Sequence, residues 1–454
     1  MQETKGGRRL QQAPRQPGKR RGLILIPILL VLAAALTAGG LWLYRQQNTP
    51  AQHTAPGSAA GSTPAQSAPA QPDQSAGPAE GPDHQTQPPA QEPEPEADPI
   101  QRQAEELLGE MSLRDKVLQM CIVTPEQLAG VEGPVTQCGD TSRQAIQANP
   151  VGGIIYFAHN LQSREQCADM ISGLQEASPL GLFISVDEEG GTVARLGNNP
   201  AMGTTSFGDM ADIGASGDPE QAYQVGATIG DELGQLGFNL DFAPVADVYS
   251  NPQNPVIGRR AFSSDPQVAA EMVEACVEGF EDSGMLCTLK HFPGHGDTDT
   301  DSHYGAARSD KTLEELEDCE VLPFQAGIQA GADLVMVGHI SLPQVTGEDT
   351  PACLSQDIVT GLLRQQLGFQ GLAVTDSLSM QAVTDAYTPG ETAVLAIQAG
   401  MDLLLMPADL EEAVNGVLEA VESGDLTQQR IDESVLRILS IKLEQGIISP
   451  AQPE

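Results

Sequence analysis

The sequence predicts an α/β fold: a closed (β/α)8 TIM-type barrel, preceded by one transmembrane helix and a disordered linker. Three observations predict it. Eight short apolar runs alternate with longer amphipathic segments between Cys121 and Met406, the pattern of buried strands with crossover helices. Five of those runs end in polar or charged residues, as barrel strands do at their carboxyl-terminal rim. An uncharged apolar stretch, Gly22 to Tyr44, leads into sequence almost devoid of branched or aromatic side chains.

Residues 1–21 carry Lys5, Arg8, Arg9, Arg15, Lys19, Arg20 and Arg21, whereas only Arg45 follows the apolar stretch closely. That asymmetry places the N-terminus in the cytoplasm and everything after the span outside the cell. Residues 22–44 are long enough to cross about 30 Å of hydrocarbon and end in the interfacial pair Trp42 and Tyr44, which favours a retained anchor. A cleaved signal peptide is the alternative, because LAAALTAGG suits a peptidase; the chain is then secreted. Residues 45–99 are mostly Ala, Pro, Gln, Ser, Gly and Thr with some acid. Such a composition cannot bury enough apolar surface to order itself, and it reads as a semi-extended linker.

The folded domain is expected over residues 100–446, with a tail at 447–454. It begins with one helix, IQRQAEELLGEMSLRDKVLQM. The eight strands are expected at Cys121 to Thr124, Gly153 to Phe157, Leu182 to Asp187, Leu240 to Val245, Cys287 to His291, Leu334 to His339, Gly371 to Asp376 and Asp402 to Met406. Helices near Leu410 to Glu422 and Gln428 to Gln445 complete the barrel, with no room for a second globular domain behind them.

Of 23 basic residues eight precede Gln46, but of 62 acidic residues only Glu3 does, so the exported part is more acidic than the net charge of −39 conveys. A field of that sign disfavours nucleic acid and anionic lipid surfaces and points to a neutral or cationic partner. The seven cysteines form no CxxC pair, which gives no zinc framework or redox motif, and several sit in apolar runs as small buried hydrophobes.

The densest chemical cluster is KHFPGHGDT, Lys290 to Thr298, followed by Asp301, Ser302 and His303. His291, His295 and His303 can be read as metal ligands, but Lys290 places a cation beside them and the spacing is not that of a helical HExxH site. The general acid/base reading needs less: Asp301 holds one ring nitrogen of His303 and leaves the other to exchange protons. A loop histidine bonded to a neighbouring aspartate for shape alone fits the spacing equally well. Asp376 closes the run GLAVTD, where a carboxylate points into a barrel mouth and can attack an electrophilic carbon; it can equally cap a helix beginning in TDSLSMQAV.

These motifs resemble glycoside hydrolase family 3, in its β-N-acetylhexosaminidase branch, from about Met111 to Glu444. KHFPGHGDT with DSH carries the resemblance, and MSLRDKVLQM, GGIIYF, DEEGGTVARL, APVADV, NPVIGRRAF and TDSLSM occur in the expected order. The resemblance implies that Asp376 is a nucleophile forming a covalent glycosyl-enzyme and that His303, oriented by Asp301, is the acid/base. It implies that Asp187, Arg195, Arg260, Lys290 and His291 hold the sugar's hydroxyls and N-acetyl group, with a rim salt bridge as the plainer role for the two arginines. The implied partner is an oligosaccharide with terminal N-acetylglucosamine, and neither a metal nor an organic cofactor is required. The chain departs from the family at Gly190-Gly191-Thr192-Val193 and at Arg260-Ala261-Phe262, where Arg259 precedes Arg260 as a rival. The sandwich domain of some relatives is missing, so barrel loops alone must complete the site. A phosphorylase of the same family and a non-catalytic sugar-binding barrel are the competing functions.

Overall fold

The structure, a computed structural model, describes residues 98–302, 305 and 307–449. The basic segment 1–21, the span at 22–44, nearly all of the linker, His303 and the tail beyond 449 lie outside the described residues. Among the described residues no helix is long and apolar enough to cross a membrane.

Eight parallel strands form the core: β1 Cys121–Val123, β2 Gly153–Ile155, β3 Phe183–Val186, β4 Leu240–Asp241, β5 Thr288–Phe292, β6 Leu334–Val337, β7 Leu372–Thr375 and β8 Leu404–Leu405. Ladders join β8-β1-β2-β3-β4 and β7-β6-β5. Single parallel bridges close the two seams, Leu240 to Leu286 and Val245 to Lys290 on one side and Val374 to Leu403 on the other. Pro244, with no N–H to give, interrupts the first seam. Every expected strand is present; seven are shorter than expected, because at the carboxyl ends the backbone turns to serve loops, and β5 keeps its expected length but starts and ends one residue later. Gly338 N–H, for example, reaches back to the Phe292 carbonyl and Asp376 N–H to that of Val337.

The opening helix differs from expectation. It is two helices, Pro99–Glu110 and Leu113–Gln119, with Met111 extended between them. Ser112 makes the break by accepting the Asp115 N–H at the second N-terminus, so the local cap outweighs the continuous apolar stripe. The closing helices, Leu410–Ser423 and Gln428–Glu444, lie where the pattern places them.

The amino-terminal end of the barrel is sealed. Asp402, just before β8, is fully buried and pairs with Arg364 and Arg437 while accepting the Ala373 N–H and the Ser434 hydroxyl. Lys442, on the last helix, is buried, donates to Gln119 Oε1 at 2.8 Å and lies 5.0 Å from the Phe183 ring centre; burial brings its pKa down to about 7. All seven cysteines are free thiols and five are buried. The interior is thus closed below and open above, at the carboxyl ends of the strands.

Candidate active site

The floor of the open end is a chain of alternating charges. Strand alternation sends Asp187 and Glu189 the same way. Lys290, within β5, lies 2.8 Å from Asp187 Oδ1 and 2.6 Å from Glu189 Oε1. Arg260, from the turn Gly258–Arg260, grips Glu189 with two bonds of 2.8 and 2.7 Å. Arg195 completes the chain at 3.3 Å from Asp187 Oδ2, its guanidinium 5.6 Å from the Phe157 ring centre. Burial by itself raises the Glu189 carboxyl, but Arg260 and Lys290 outweigh it and hold the group well below the usual carboxylate range. Burial likewise pulls Lys290 down, and Asp187 and Glu189 reverse the shift, leaving it raised. Three cations against two anions leave one positive charge in excess, ready for oxygen acceptors. Glu188, turned the other way, accepts the N–H groups of Arg195, Leu196 and Gly197 and so staples the loop bearing Arg195.

Asp247 organises the histidines. Its Oδ2 accepts both the His291 backbone N–H at 3.2 Å and Nδ1–H at 2.8 Å, and its Oδ1 accepts the His295 N–H at 2.6 Å. His291 therefore presents Nε2 to the cavity. The His295 ring is engaged on both sides, by Thr298 at 2.8 Å and Ser302 at 3.1 Å, and burial, then neighbouring His291, lowers its pKa. Among the described residues these engagements leave His291 Nε2 as the one uncommitted ring nitrogen of the pair, which weakens the reading of both as metal ligands. Gly296 of the motif allows close backbone packing: a Cβ there would sit 1.7 Å from the Val248 carbonyl oxygen.

Asp376 follows β7, on the opposite side of the ring from β3 and Asp187. Its Oδ1 accepts the Ser377 N–H at 2.7 Å. The next helix starts only at Gln381, with Met380 as its cap, so Asp376 caps no helix. Asp187, Arg195, Arg260, Lys290, His291 and Asp376 line one cavity of about 500 Å³. Arg259 points away, half-exposed, to Asp209 and Asp212, which separates it from Arg260. Arg195 and Arg260 do form salt bridges, and they face the cavity as well. Asp301 lies on the loop after β5, next to Ser302, which lines the cavity; His303 is not among the described residues.

Sequence reasoning passed over Glu189 and Asp247. Both stand in quoted motifs, DEEGG and APVADV, and the alternation of DEE was the available signal for Glu189. For Asp247 no local signal exists, since its partners lie more than forty positions away.

The sequence profile of the Glycosyl hydrolase family 3 N terminal domain matches residues 112–441. The chain is 39% identical over 328 residues to Beta-hexosaminidase A of Pseudoalteromonas piscicida, covering 66% of this chain and 54% of that protein. It is 37% identical over 298 residues to a Beta-hexosaminidase of Stenotrophomonas maltophilia (strain K279a), covering 64% and 86%. Among solved structures, a glycoside hydrolase family 3 beta-N-acetylglucosaminidase from Paenibacillus sp. str. FPU-7 superposes with a TM-score of 0.70 at 39% identity, over 76% of this chain and 64% of that one. The chain thus spans about half the length of the first of these relatives. With the barrel, the cavity at its open end and the match over most of the sequence in agreement, the chain belongs to glycosyl hydrolase family 3.

Proposed function

We propose that the chain is an exo-acting β-N-acetylglucosaminidase that removes terminal β-linked N-acetylglucosamine with retention of configuration, acting on cell-wall fragments or related oligosaccharides outside the cell. The names of its relatives support the sugar; the predicted span at 22–44 supports a membrane-held domain facing outward. The observation that carries the reading is the placement of Asp376 in the same cavity as the charge chain of Asp187, Lys290, Glu189 and Arg260.

In this mechanism the cations and His291 hold the hydroxyls and N-acetyl oxygen of the terminal sugar, with bonds that tighten as the ring flattens. Asp376 attacks the anomeric carbon; the bond to the leaving oxygen breaks and that oxygen takes a proton from His303, which Asp301 orients. Water then gives its proton to His303 and displaces Asp376 from the anomeric carbon. No cofactor enters either step.

A panel of aryl β-glycosides differing at C2, assayed with and without phosphate, tests it. Release from the N-acetylglucosaminide with retained configuration, independent of phosphate and abolished in Asp376→Ala, is the expected result. Sugar 1-phosphate as product makes the enzyme a phosphorylase; binding of N-acetylglucosamine without turnover makes it a sugar-binding barrel.

A further inference from the structure

In the run LVMVGHISLP, His339 lies two residues past the end of β6, and it has no part in the steps above. It is buried, 1% exposed, and its ring reaches the backbone of Ser377, the residue after Asp376. Its Nε2 lies 2.8 Å from the Ser377 carbonyl oxygen. A carbonyl only accepts, so Nε2 carries the hydrogen. Its Nδ1 lies 3.1 Å from Cys353 Sγ, and on a neutral imidazole with Nε2–H it accepts the thiol hydrogen. Cys353 keeps that hydrogen, because burial, then the charge of Asp376, pushes its thiol up. Its own N–H is tied to the Gly338 carbonyl at 3.2 Å.

The peptide that His339 grips, Ser377–Leu378, is the second after Asp376. Its carbonyl receives Nε2–H, and its other pole, the Leu378 N–H, donates to the Leu405 carbonyl at 2.9 Å. One residue upstream the Ser377 N–H donates to Asp376 Oδ1 at 2.7 Å, and Asp376 N–H donates to the Val337 carbonyl at 2.9 Å. Cys353, His339, Ser377 and Asp376 therefore form one connected relay. We propose that His339, locked as the Nε2–H tautomer by the Cys353 thiol, is a positioning residue that aims the Asp376 carboxylate. A lysine could donate to the carbonyl but not accept from a thiol, and an apolar residue could do neither.

The inference rests on Asp376 as the nucleophile, so turnover of an aryl β-N-acetylglucosaminide by the wild-type protein is measured first. His339→Leu and His339→Gln, Cys353→Ala and Cys353→Ser are then compared, with folding checked by circular dichroism. In His339→Leu kcat falls about 10–100-fold, the scale of a displaced reacting group, while KM stays nearly constant. The acid limb of kcat/KM moves to higher pH, because a misaligned Ser377 N–H no longer favours the ionised Asp376. His339→Gln, which keeps a donor, recovers most of the rate; Cys353→Ala lowers kcat less, and Cys353→Ser restores it. An unchanged kcat and acid limb in folded His339→Leu, or no recovery in His339→Gln, overturns the proposal. Should the leucine variant not fold, the cysteine pair decides: equal kcat in Cys353→Ala and wild type overturns it, loss with recovery in Cys353→Ser supports it. Absent turnover in the wild type fails the proposed function, and the relay is then read by NMR of the His339 ring nitrogens, where an Nδ1–H tautomer overturns it.

Discussion

Glu189 and Lys290 face each other 2.6 Å apart with side chains 1% and 2% exposed. Ions so thoroughly removed from water persist only because each has more than one partner. Glu189 also takes the Arg260 fork, and Lys290 also takes Asp187. Removing one member strands the others, which sets the first expectation.

Glu189→Gln keeps the shape of the side chain but leaves Lys290 and Arg260 without their shared anion. The loss is about 3–5 kcal/mol, the scale for breaking a buried pair from one side. Urea denaturation measures it. A loss within about 0.5 kcal/mol would show that water or Asp187 compensates, and the charge chain would not be the keystone described.

Asp247→Asn replaces a carboxylate that accepts three N–H groups from His291 and His295. The amide has one acceptor oxygen, so His291 loses its fixed tautomer and the loop after β5 loses an anchor. On the proposed function kcat/KM for an aryl β-N-acetylglucosaminide drops about 100-fold. The fold stays intact by circular dichroism. Full activity in the variant contradicts the organising role of Asp247.

Gly296→Ala drives a methyl to 1.7 Å from the Val248 carbonyl oxygen, so backbone must move. Overpacking of this kind costs about 1–3 kcal/mol. Gly109→Ala is the control. Gly109 lies in the helix Pro99–Glu110 with nothing within 4 Å of an added Cβ, and alanine there stabilises by about 0.5–1 kcal/mol. Thermal midpoints moving in opposite directions verify the contrast; equal shifts refute it.

Asp333, at the sealed end, accepts the Cys287 N–H at 3.0 Å, and burial, with the charges of Glu281 and Glu444 adding to it, raises its pKa to about 6. A folded pKa above the unfolded value means that the folded state binds the extra proton. Its stabilising contribution is complete below about pH 4 and lost as pH rises through 6. Asp333→Asn is therefore more stable than the wild type at pH 8, by about 1–3 kcal/mol, and equal to it at pH 4. Urea titrations at the two pH values check this, and a stability difference that does not change with pH would rule it out.

Much of the barrel was legible from particular runs. GLAVTD and CTLKHF are apolar but for one threonine each up to the residue where chemistry begins, and the structure ends β7 at Thr375 and places Lys290 and His291 inside β5. The single opening helix was not, because the apolar stripe runs on through Met111 while the side chain of Ser112 closes a new N-terminus. Arg259 and Arg260 were indistinguishable as neighbours of the same type. Their separation comes from Asp209 and Asp212 on one side and Glu189 on the other, all far off in the chain.

By itself the sequence determined that eight strands occur and roughly where each lies, which rim carries the polar groups, and which family motifs are present, because hydrophobic periodicity and turn chemistry act over a few residues. Only the tertiary structure decided that Lys290 shares its charge between Asp187 and Glu189, that Asp247 holds two histidines, and that His339 bonds the Ser377 carbonyl. Those pairings join positions brought together by closing the barrel. The energy of an ion or hydrogen bond there depends on burial and on every neighbour at once, which no short stretch of sequence can specify.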